Sequence, residues 1–85
     1  MPEELIGKVT HYFNKISVAV VGVDKGELAV GDTVKFKHGE SEFQQLVGSL
    51  EIDREPVGKI GKGEEAGLKV DEPVKEGWEV YKVTE

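Results

Sequence analysis

The chain has 85 residues, a formal net charge of −6 from 11 Lys+Arg against 17 Asp+Glu, and no cysteine. That length fits one domain and buries only roughly 60–65% of the unfolded surface, so the core must be thin. Disulfides and thiolate metal sites are excluded, His11 and His38 fall short of the four ligands a structural zinc takes, and an acidic surface does not attract phosphate backbones as a whole.

Residues 1–4 read as a short N-terminal tail, and residues 5–83 as a single domain. The opening MPEELIGKV carries two glutamates and no long apolar stretch, so neither a signal peptide nor a membrane span is expected. The absence of cysteine suits a reducing compartment, and the cytoplasm is the expected location. LIGKVTHYF (5–13) alternates as a strand, with Leu5, Gly7, Val9, His11 and Phe13 on one side. Asn14 and Lys15 signal a turn. ISVAVVGVD (16–24) is β-branched and apolar on both faces, as in a strand covered on both sides or folded into a small barrel. Gly26 and the AVGD bend lead into TVKFK (33–37), with Val34 and Phe36 on one face, and HGES (38–41) turns the chain again.

SEFQQLVGSLEID is ambiguous on local grounds. Phe43, Leu46, Val47 and Leu50 follow helical spacing, and Ser41 with Gln44 resembles a capping box. Gly48 in the middle opposes a helix, and Leu46, Gly48, Leu50 and Ile52 offer a strand set. A bend at GKGEE precedes a strand at 66–70, DEP breaks the chain, and WEVYKV closes it. About six short strands separated by turn residues predict an antiparallel barrel or sandwich. Three glycine-led entries, AVGDTVKF, GKGEEAGLKV and KEGWEVYKV, read as corners where glycine supplies the backbone angle other residues resist.

Laid end to end, these segments resemble the second domain of translational GTPases of the elongation factor Tu type. The matching residues are Gly26, Leu28, Val30, Gly31, Asp32 and Val34; then Val47, Ser49, Leu50 and Glu51; then Gly63, Glu64, Ala66 and Gly67; then Val74, Gly77 and Val80. The resemblance implies a closed, six-stranded antiparallel β-barrel of Greek-key type, with residues 43–52 as strand. It implies a freestanding translation-factor-like binding module that contacts RNA, either tRNA or a ribosome-associated component. It places Glu51 and Arg54 of LEIDRE, with Ser17, at the partner-binding site: a carboxylate can accept from a ribose hydroxyl and a guanidinium can pair with phosphate. The chain has no G-x-x-x-x-G-K-[ST] loop, so no GTP binding is expected. The alternative is a protein-interaction adaptor docking on a larger protein, and barrels of this kind are also appended to peptidases.

The plainer readings complete the picture. Glu51 and Arg54 could be a solvated pair at a strand end. Tyr12 and Phe13 are expected in the core rather than as a stacking platform, and Trp78 as a barrel plug with its N–H bonded. His11 is expected to be a structural or surface residue, His38 a turn residue, and the lysines scattered. GEE (63–65) and DE (71–72) lack calcium-loop spacing and read as a solvated acidic face. Nothing offers a nucleophile, metal set or cofactor loop, so no cofactor and no enzymatic activity are expected.

Overall fold

The computed structural model describes residues 3–84. Ten short strands occur among these residues: β1 (Glu3–Phe13), β2 (Val18–Val23), β3 (Glu27–Ala29), β4 (Thr33–His38), β5 (Ser41–Leu46), β6 (Leu50–Ile52), β7 (Glu55–Val57), β8 (Lys59–Gly61), β9 (Glu65–Lys69) and β10 (Glu79–Val83). Eight form one sheet in the order β5-β4-β10-β1-β2-β9-β6-β7, and β3 pairs separately with β8. Every pairing is antiparallel. The chain is thus all-β, with more and shorter strands than the expected six, because tight turns cut the longer stretches.

The ambiguous stretch at 43–52 holds no helix: it is the end of β5, a three-residue break at 47–49, and β6. β5 pairs residue by residue with β4, from Thr33 opposite Leu46 to His38 opposite Ser41. Local helical spacing lost because β4 offers β5 a ladder along its whole length, whereas a helix would have to keep Gly48 in its interior. β5 ends at Leu46; the next residue, Val47, donates its amide to Asp32 O and accepts at its carbonyl from Gly31 N, and β6 begins at Leu50.

The first strand departs from simple alternation. Leu5 is 42% exposed while Ile6 is fully buried, the reverse of the expected set. Register shifts between Leu5 and Gly7 on the β10 side and between Val9 and His11 on the β2 side explain it. Each bulge adds one residue to one strand, and one added residue moves every later side chain to the opposite face. The strand also begins earlier than expected. Glu3 and Glu4, assigned to the tail, pair with Val83 and Lys82; Met1 and Pro2 lie outside the described residues. Lys35 Nζ lies 3.0 Å from Glu3 Oε2 and 3.5 Å from Glu42 Oε2. The hydrogen bond that Lys35 donates to the Glu3 carboxylate leads the influences that hold its ammonium above the usual range.

The three glycine corners share one construction. Asp32 N donates to Ala29 O, Glu64 N to Gly61 O and Trp78 N to Lys75 O, and the third residue of each turn is a glycine with positive φ, at 98°, 86° and 93° for Gly31, Gly63 and Gly77. This matches turns that require a glycine at the third position. In the first two, the acidic residue at the fourth position accepts from the amide of the first: Ala29 N to Asp32 Oδ2 and Gly61 N to Glu64 Oε1, both at 2.8 Å. The recurring glycine–acid signature is therefore a self-bonded corner, and it specifies chain reversal rather than chemistry.

The core is one cluster of apolar residues, aliphatic apart from Phe36, around Ile6, Val21, Leu28, Val34, Phe36, Leu50, Ile60, Leu68 and Val80. Tyr12 and Trp78 are half-buried and pack against it. Trp78 is not a plug: its ring stacks on His38 at 5.6 Å, at the margin of the core. The sheet curls far enough that Gln45 in the end strand β5 bonds to the last residue of β9 and to the segment just after it. Its amide donates to Lys69 O at 2.9 Å and its side-chain oxygen accepts from Asp71 N at 2.8 Å. Among the described residues Gln45 is the buried polar side chain. Gln45→Ala strands both backbone groups, and about 1–3 kcal/mol of stability should be lost in urea denaturation; a change below 0.5 kcal/mol, about the size of an ordinary surface substitution, would show that water replaces the amide.

Candidate functional site

A groove of about 750 Å³ runs along the outer face of β2 and β9, beside the β6–β7 hairpin. Its floor follows from the ladders. Ala19, Val21 and Val23 of β2 point into the core, so Val18 and Val20 face outward. Opposite them on β9, Leu68 and Ala66 point in, and Lys69, Gly67 and Glu65 point out. Val18 pairs with Lys69, Val20 with Gly67 and Gly22 with Glu65. The two-sided apolar character of ISVAVVGVD thus has one face in the core and the other in this groove.

One wall is the end of β1 and the turn after it. Phe13 pairs with Val18 and is 45% exposed, and Ile16 is 61% exposed in the turn. Both corrections have a cause. Phe13 was expected in the core, but the second bulge of β1 turns it outward; Ile16 was expected in a strand, but the turn runs from Asn14 to Ser17 and β2 starts at Val18. His11 meets the Phe13 ring edge-on, with centroids 4.4 Å apart. His11 Nδ1 is 3.4 Å from Glu76 Oε1 on the exposed surface, so it is a surface histidine.

The opposite wall is β6 with its hairpin. Glu51 pairs with Pro56 of β7 and with Gly67 of β9. Asp53 and Arg54 form a two-residue loop, since Ile52 pairs with Glu55. Both have positive φ, 52° and 68°, as a type I′ turn requires. Asparagine–glycine fits such a turn best, and a left-handed Arg costs roughly 1–2 kcal/mol. Arg54→Gly should therefore raise the unfolding free energy by about 0.5–1 kcal/mol, part of the relief being offset by the freer unfolded chain; a loss of stability would show that the Arg side chain holds the hairpin.

Two of the three sequence-predicted site residues meet here. Glu51 and Arg54 line the groove together. Among the described residues they do not ion-pair with each other. Ser17 sits between the lining residues Ile16 and Val18; its φ is 56° and its carbonyl accepts from Val70 N at 2.9 Å. The three non-glycine left-handed residues among those described all belong to this groove or its border. Sequence reasoning missed Phe13, Ile16, Val18, Val20 and Lys69 as groove residues. The legible signal was the apolar outer face of residues 16–24. No group of three or more His, Asp or Glu side chains gathers to hold a metal among the described residues.

No family model matches the chain. It is 32% identical over 81 residues to an uncharacterized protease of Methanocaldococcus jannaschii, covering 94% of this chain. It spans only 20% of the length of that relative. Among solved structures, the C-terminal domain of a Geobacillus thermoleovorans protein described as a U32 peptidase superposes with a TM-score of 0.86 at 20% identity, covering 95% of this chain and 93% of that one. The selenomethionine variant of the same domain gives 0.83 at 21% identity, covering 91% and 96%. The fold is therefore that of a U32 peptidase C-terminal domain.

These findings overturn the resemblance to the second domain of translational GTPases, and the translation-module function it implied. The physical reason lies in the corners. Of the four elements that carried the resemblance, two are the glycine–acid turns at 29–32 and 61–64 with the strands they feed, and the other two are the short stretches at 47–51 and 74–80. Any small antiparallel domain that reverses direction in this way has use for the same residues.

Proposed function

We propose that this chain is a non-catalytic accessory domain of the kind carried at the C-terminus of U32 peptidases, and that the groove between β2–β9 and the β6–β7 hairpin binds polypeptide. The observation that carries the reading is the exposure of Phe13 and Ile16 beside the outward Val18 and Val20, on a chain this small and this acidic. Contiguous exposed apolar surface rimmed by polar residues marks an interaction site. A peptidase acts on polypeptide, so an attached domain that holds polypeptide serves the same substrate class. We further read the curled sheet as a closed barrel. Gln45 spans from β5 to the end of β9, and Val30 N donates to Gly58 O to join the β3–β8 pair to the hairpin. A closed wall would hold the groove rigid while its rim stays exposed.

The test is a titration of the isotope-labelled chain with an unfolded polypeptide, reduced and carboxymethylated α-lactalbumin, followed by amide chemical shifts. Shifts should concentrate at Val18, Val20, Gly67 and Arg54, and Phe13→Ser combined with Ile16→Ser should weaken binding about tenfold or more. Shifts elsewhere, or none, would refute the groove; hydrolysis of the polypeptide by the purified chain would refute the non-catalytic role.

A further inference from the structure

We infer that the groove selects an extended segment carrying an acidic, an apolar and a basic side chain at alternate positions. This rests on the groove being the binding site proposed above. Lys69, Gly67 and Glu65 point outward from β9 at successive alternate positions, roughly 6.6 Å apart. An extended partner has the same period, so its alternate side chains meet these three positions in turn.

The two ends of the groove differ in charge. At one end Lys69 pairs with Val18, which pairs with Phe13, and Ile16 lies in the turn between Phe13 and Val18, so a single cation stands against an apolar wall. At the other end Glu65 lies opposite Gly22, and the hairpin adds Asp53 and Arg54. Two carboxylates outnumber one guanidinium there. In the middle, Gly67 lies between Val20 and Glu51 and carries no side chain. A Cβ at that position would come 3.1 Å from Val18 Cγ1, so only a glycine leaves the floor low. A partner's apolar side chain can settle there against Val18 and Val20, with its acid toward Lys69 and its base toward Glu65. Single-stranded RNA is disfavoured by the same arrangement: Glu51, Asp53 and Glu65 outnumber Arg54 and Lys69 on a chain of net charge −6.

The experiment uses end-capped, fluorescein-labelled pentapeptides: Glu-Thr-Leu-Thr-Lys, the all-basic Lys-Thr-Leu-Thr-Lys, the all-acidic Glu-Thr-Leu-Thr-Glu and a neutral Ser-Thr-Leu-Thr-Ser. Fluorescence polarisation should rank the mixed peptide first, by roughly three- to tenfold over the others. Lys69→Glu should transfer the preference to the all-basic peptide and Glu65→Lys to the all-acidic one; both positions are exposed, so the variants should fold. Added salt should compress the differences. If all four peptides bind within twofold of one another and remain sensitive to the Phe13/Ile16 double substitution, the charge pattern is refuted and the groove reading stands. If none shifts the groove amides, both fall. Displacement of the mixed peptide by an oligouridine of similar length would also overturn the inference.

Discussion

Gly7→Ala is expected to cost about 3–5 kcal/mol, enough to leave a domain of this size largely unfolded. Gly7 is buried in β1, opposite Val23 in β2, between the two bulges of the strand. A Cβ at that position would overlap the carbonyl oxygen of Gly22 and stand 2.9 Å from its carbonyl carbon. Both are backbone atoms of a paired strand, so relief requires β1 and β2 to separate at the centre of the sheet. Gly22→Ala is the matched control. Its nearest obstacle is Thr10 Cγ2 at 3.2 Å, a side chain able to turn away, and its cost should stay below about 1 kcal/mol. Urea denaturation of both variants checks the pair. Equal midpoints would mean that β1 shifts freely, and that the close approach does not constrain the fold.

Phe36→Ala should cost a similar 3–5 kcal/mol. Phe36 is fully buried in β4, and its ring stacks on Phe43 of β5 with centroids 5.1 Å apart. Removing it leaves a cavity that the β4–β5 hairpin cannot collapse into, since β4 is held on its other side by β10. The aromatic pair accounts for about 0.5–1.5 kcal/mol of the loss. At about 4 °C or more per kcal/mol, the melting temperature should drop by at least about 12 °C. Phe43→Ala should cost less, because Phe43 is only half-buried. A larger effect at Phe43 than at Phe36 would place the centre of the core outside β4.

The groove was only partly legible. Glu51 and Arg54 were singled out through a family resemblance that the comparisons overturn, and they do line the groove. Their placement there follows from a hairpin whose loop is two residues long, which is a local property of LEIDRE. Lys69 could not be found this way. It reads as one of many surface lysines until the β2–β9 ladder sets it across from Val18. Phe13 was misplaced because aromatic residues in a thin-cored chain are expected inside, and no sequence pattern announced the bulge that turns it out.

The residues alone determined that the chain is antiparallel and all-β. Glycine at the third position of a turn and an acid at the fourth act within four residues, so their effect survives whatever the rest of the chain does. The tertiary structure decided what no local signal carries: the flip of faces along β1, the choice of strand over helix at 41–46, and the meeting of Phe13, Ile16, Lys69 and the hairpin in one groove. Each depends on a register between strands distant in sequence. Register is fixed by which side chains the whole core can bury together, not by any one segment.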